Sequence, residues 1–147
     1  MLGEQLSQSA LTYCGTPFHY GARIKGVGID CAGLIVCALR ELGCVVEDVP
    51  NCAIADHFEL IHRIIKNHFD LVGEGLQFAE IGDLLLFRRM HGPASRRIEN
   101  HVGILTSRDP ACMVHAFPSG FCQCVTVSPL GLYFTDALVG IWRYRVA

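Results

Sequence analysis

The stretch GIDCAGLIVCALRELG, Gly28 to Gly43, constrains this chain more than any other. From Cys31 to Leu42 the polar side chains are confined to Arg40 and Glu41, near the end. Leu34, Ile35, Ala38, Leu39 and Leu42 recur at helical spacing, and Gly43 is a natural stop. A helix this apolar has to sit in the middle of a fold, covered on most sides. Its entrance is less bland. Asp30 is placed to cap the helix. Cys31 follows, where backbone N–H groups and the positive end of the dipole favour a thiolate over a thiol. The same N–H groups can hold a developing oxyanion. The charge of Asp30 would oppose a neighbouring thiolate, which gives that residue a structural role. Taken alone, Cys31 is weak evidence for a nucleophile, and a small buried hydrophobe is the simpler reading.

The surrounding pattern predicts an α+β fold. Residues 2–14 form an amphipathic helix, and residues 15–30, broken by Gly15, Pro17, Gly21, Gly26 and Gly28, an irregular loop. Residues 54–69 form a third helix with Phe58, Ile61, Ile65 and Phe69 on one stripe. Strands follow at 83–87, 101–106, 112–117, 122–127 and 139–144. Helices first and closely spaced strands later imply an antiparallel sheet beneath the helices. The length of 147 residues suits one domain spanning 1–147.

Two histidines stand in the apolar strands. His101 opens HVGIL, where its ring can reach the sheet edge and a helix end. His115 lies inside CMVHAF and needs a polar partner there. A backbone carbonyl would satisfy it. Alternatively His115 orients His101, and His101 takes a proton from Cys31. Nucleophile, base and orienter in that relation make a triad, and a cysteine followed much later by histidines is the general order in thiol hydrolases.

With these residues assembled, the chain resembles the NlpC-type cell-wall cysteine peptidases, a branch of the papain-like fold. Members carry a GTPY-x-x-G loop, DCSGL opening a helix, PGDLVFF, HVGIY, and an apolar residue before HA. Here these are GTPFHYGA, DCAGL, IGDLLLF, HVGIL and VHA, in the same order from Gly15 to Ala116. The KGVGIDC run, Lys25 to Cys31, is similar to a phage and prophage tail-associated subgroup. The resemblance implies Cys31 as nucleophile, His101 as base and His115 as third member. It further implies cleavage of peptidoglycan stem peptides without a metal or other cofactor, with phage tail proteins as partners. Two positions depart from the pattern. Phe18 replaces a tyrosine whose hydroxyl lines the site, and Tyr20, two residues on, faces the same way if the segment is extended. Ala32 replaces a serine.

Other readings compete. The same fold could persist in a tail-assembly protein whose site has decayed, as Phe18 hints, or serve a papain-like amidase acting on another amide. Cys112, His115, Cys122 and Cys124 could bind zinc, but Cys112 and His115 point to opposite faces of a regular strand. The loop 88–100 holds four arginines, and Arg96 and Arg97 are candidates to steer a carboxylate-rich substrate. A solvated loop that keeps a sheet edge soluble explains them equally well. Trp142 could line a cleft, although packing is the simpler role.

A net charge of −2 gives no sign of a nucleic-acid-seeking surface. No apolar stretch approaches the ~20 residues of a membrane span. With Glu4 early and no basic or long apolar start, the N-terminal stretch is expected to be an amphipathic helix and not a signal peptide. The expectation is synthesis in a bacterial cytoplasm, release through a virion or lysis, and eight reduced cysteines, mostly structural.

Overall fold

The structure is a computed structural model that describes residues 2–50, 54–88, 99–118 and 123–146, with the backbone alone at 54–57, 99 and 100. Three helices come first: α1 (Leu2–Leu11), α2 (Cys31–Glu41) and α3 (Ile54–His68). Between α1 and α2 a small hairpin pairs β1 (Arg23–Ile24) with β2 (Gly28–Ile29). Then come β3 (Phe69–Gly73), a 3-10 turn (Leu76–Phe78), β4 (Leu84–Arg88), β5 (Glu99–Arg108), β6 (Ala111–Ala116), β7 (Val125–Pro129), the one-turn helix α4 (Leu132–Thr135) and β8 (Leu138–Tyr144). β3 to β8 form a six-stranded sheet in the order β3-β8-β4-β5-β6-β7, every pairing antiparallel. The expected α+β architecture is therefore present. Among the described residues no helix is long and apolar enough to cross a membrane.

Strand alternation divides the apolar residues between two cores. Leu84, Leu86, Val102, Ile104, Val114, Ala116 and Val125 face the helices and pack with Leu6, Ala10, Leu34, Ile35, Leu39, Ile61 and Ile65. Leu85, Phe87, Leu105, Met113 and Ile141 lie in a second core, joined by Phe117, Phe134 and Leu138. α2 is buried from Cys31 to Val36 and again at Ala38 and Leu39, as its all-round apolarity requires. Trp142 packs against the helix-side core.

Several elements differ from the sequence expectation, beginning with the β1–β2 hairpin inside the segment 15–30 expected as an irregular loop. β7 starts at Val125 rather than residue 122, because Gln123 takes φ 44° and Cys124 forms an isolated bridge with Pro17. β3, with only its first residue buried, and the short α4 lack a strong periodic signal. Cys124 is disulfide-bonded, against the expectation of reduced cysteines, whereas Cys14, Cys31, Cys37, Cys44 and Cys112 are in no disulfide. Pairing depends on the approach of two Cβ atoms, which compartment and count do not determine.

Candidate active site

The start of α2 is anchored by the loop before it. Gly15 and Phe18 donate backbone N–H groups to the carbonyls of Val125 and Gln123, and Val125 donates back to Thr16. Ile29 donates to Pro17, and His19 to Ile29. These bonds join the loop to the end of the sheet where Ala116 pairs with Val125, one residue from His115. α2 itself packs against β5 and β6.

Asp30 caps α2. Its Oδ1 accepts from the Gly33 N–H at 2.7 Å, and its backbone carbonyl accepts from Leu34 at 3.0 Å. Its Oδ2 accepts from the Gly21 N–H at 2.7 Å. Arg23 adds a 3.0 Å contact to Oδ1 and holds both oxygens of Asp48, at 2.9 and 3.0 Å. Asp30 and Asp48 are nearly inaccessible, so Arg23 neutralises two buried charges at once. Asp30 thus supports the site and is no oxyanion donor. Gly33 is needed for this packing, since a Cβ there would stand 2.8 Å from Nη1 of Arg23 and 3.0 Å from the Ala22 carbonyl. The sequence reading missed Arg23 and Asp48. A lone arginine in a glycine-rich loop just before a cap aspartate was the available signal.

Cys31 opens α2 and is completely buried, as are His101 and His115. The two histidines meet directly, with Nε2 of His101 2.8 Å from Nδ1 of His115. Nε2 of His115 is in turn 2.8 Å from Oγ of Ser128. By alternation both rings lie on the face of Phe87 and Met113. Phe117 contacts both, Phe87 lies against His101, and Phe134 against His115. Gly103 makes room for them, because a Cβ there would come within 2.5 Å of the Met113 sulfur and 3.3 Å of Cβ of His115. Burial pushes His115 down to about 4, so the ring is neutral at physiological pH. Cys31 belongs to the helix-side core, and the histidine pair to the other face.

Phe18 and Tyr20 stand edge to face with ring centroids 4.9 Å apart, although the segment turns at Tyr20 instead of running extended. Burial first, then the charges of Cys31 and Asp30, push the Tyr20 hydroxyl up to about 12. Tyr20 therefore remains a protonated donor in the neighbourhood of the thiol. Arg96 and Arg97 lie outside the described residues. The zinc alternative loses two of its four ligands: Cys124 is in a disulfide, and both nitrogens of His115 are engaged; Cys122 lies outside the described residues.

No family model matches the chain, and no curated protein does. Solved structures do. An NLP/P60-family protein similar to a lipoprotein, from Staphylococcus aureus, superposes with a TM-score of 0.69 at 21% identity, over 99% of this chain and 42% of that one. NlpC2 from Trichomonas vaginalis gives 0.71 at 20% identity, over 99% and 47%. The NlpC/p60 domain of the peptidoglycan hydrolase SagA gives 0.58 at 18% identity, over 96% and 97%. The chain thus spans under half of the first two structures and nearly all of the SagA domain. At these identities the likeness concerns architecture: this chain has the papain-like α+β fold of the NlpC/P60 domains.

Proposed function

We propose that the chain is a cysteine endopeptidase that hydrolyses peptide bonds in peptidoglycan stem peptides, with Cys31 as nucleophile, His101 as base and His115 as orienter. The observation that carries this reading is the hydrogen-bonded pair of His101 and His115 on the two strands against which the Cys31 helix packs. Because Cys31 and the imidazoles belong to different cores, the reaction takes place at the end of the sheet, where α2 begins. His101 uses Nε2 toward His115, and its Nδ1 receives the Cys31 proton. The thiolate adds to the amide carbonyl. Asp30 holds the Gly33 and Leu34 amides, so the reading assigns the oxyanion to the N–H of Cys31 at the start of the helix. Tyr20 supplies a neutral donor beside it. The His101 proton passes to the leaving amine, and water then hydrolyses the thioester and restores the thiol.

Purified bacterial sacculi test the reading. The chain should release fragments with new amino and carboxyl termini inside the stem peptide, and Cys31→Ala should release none. Fragments cut at another amide would instead support an amidase.

A second reading rests on the full burial of Cys31: a tail-assembly protein that keeps the fold with its site closed. Absence of any release by the intact chain would favour it. A phage or prophage tail as the setting, with tail proteins as partners, rests on the KGVGIDC run alone. Co-sedimentation of the chain with tail particles from an induced host is the expected result, and its absence removes the setting without touching the chemistry.

A further inference from the structure

We propose that Ser128 is a positioning residue of the same site: by accepting a hydrogen bond from Nε2–H of His115, it keeps Nδ1 of His115 open to receive the proton-bearing Nε2 of His101. The inference rests on the hydrolase reading above and extends the relay by one member.

The register sets the contact. β6 and β7 run antiparallel with His115 opposite Thr126 and Met113 opposite Ser128. Ser128 is therefore the diagonal neighbour of His115 on the same face, within reach of a long side chain. The distance is 2.8 Å. Thr126 is directly opposite His115, yet the ring bonds Ser128.

The proton count then fixes the direction of each bond. A neutral imidazole carries one N–H and one lone pair. His115 is neutral, fully buried, and has a partner on each nitrogen. It must therefore donate on one side and accept on the other. When His101 takes the thiol proton, both nitrogens of His101 carry hydrogen, so Nε2 can only donate. His115 must then accept at Nδ1 and carry its own hydrogen on Nε2. That hydrogen points at Oγ of Ser128, whose hydroxyl is half-buried and can turn its own hydrogen to solvent. With the serine removed, a buried N–H loses its acceptor, and the tautomer that supports the charged His101 is weakened. From other elements His115 faces His101 on β5, Ser128 on β7 and Phe134 on α4. His101 is the one titratable group among these.

The test follows the rate of Cys31 alkylation by iodoacetamide across pH, in the full chain. Ser128→Ala should slow the reaction at neutral pH by roughly tenfold and move its midpoint up by about one pH unit, while the melting temperature falls because a buried N–H loses its acceptor. Ser128→Thr, which keeps the hydroxyl, should restore the profile, and Thr126→Ala should leave it alone. If His101→Ala slows Cys31 while Ser128→Ala leaves the profile unmoved, the role of Ser128 is overturned and the hydrolase reading stands. If His101→Ala has no effect on Cys31, both fail. Should Ser128→Ala not fold, long-range proton–nitrogen NMR correlations of the histidine rings decide in the unmodified chain. Hydrogen on Nε2 of His115 supports the proposal, and hydrogen on Nδ1 overturns it.

Discussion

Arg23 shows how much one side chain can hold at the residue scale. It bridges Asp30 and Asp48, both buried, and so ties the loop before α2 to the segment after it. Arg23→Ala would leave the Asp30 carboxylate without its ion pair and Asp48 with the 3.9 Å contact to Arg40. A loss of ~3–5 kcal/mol in denaturant unfolding is expected, and little change in the midpoint would contradict this account. His115 sets a pH dependence. Its folded value of about 4 lies below the usual 6.5. Between these values the unfolded chain binds more protons at this ring, so stability rises with pH across the window and falls as the pH drops through it. The full drop is of the order of 3 kcal/mol. Urea midpoints measured from pH 7 to pH 4 should show it, and His115→Asn should flatten that slope. Tyr20 carries a functional prediction. If it supplies the hydroxyl that Phe18 lacks, Tyr20→Phe should lower kcat/KM on wall fragments by roughly tenfold, whereas unchanged kinetics would assign the ring to packing with Phe18.

For whole elements, legibility followed the strength of the periodic signal. α2 was readable because its apolar face is nearly continuous, and the structure runs it from Cys31 to Glu41. α3 and four of the five expected strands were found within a few residues, since long apolar alternation leaves little freedom. β3 escaped because four of its five residues are not buried, and α4 because a single turn has no period. The start of β7 was misplaced because the positive φ of Gln123 is a property of the path and not of composition. Of the candidate site, the cysteine and both histidines could be named from their places in motifs. Ser128 and Arg23 could not, because diagonal register and ion pairing appear only once the chain is folded. Gly103 marks the dependence of the site on its strand. Gly103→Ala would press a methyl group against Met113 and His115, and a loss of ~1–3 kcal/mol is expected. A reduced reactivity of Cys31 in the same variant would link the strand to the site.

Across the whole molecule, the sheet separates two cores, and the proposed chemistry crosses from one to the other at its end. The loop from Gly15 to Phe18 makes that possible by binding the segment before α2 to the start of β7. The same arrangement poses a sharp contrast among the cysteines outside the disulfide. Exposure alone ranks Cys14 as the most reactive and the buried Cys31 as the least. Activation by a helix N-terminus and a histidine base ranks them the other way. Quantitative mass spectrometry of the native chain after brief iodoacetamide treatment at pH 7 decides between the two. Cys31 labelled ahead of Cys14, Cys37, Cys44 and Cys112 is the predicted result, and Cys14 labelled first with Cys31 untouched would contradict the account.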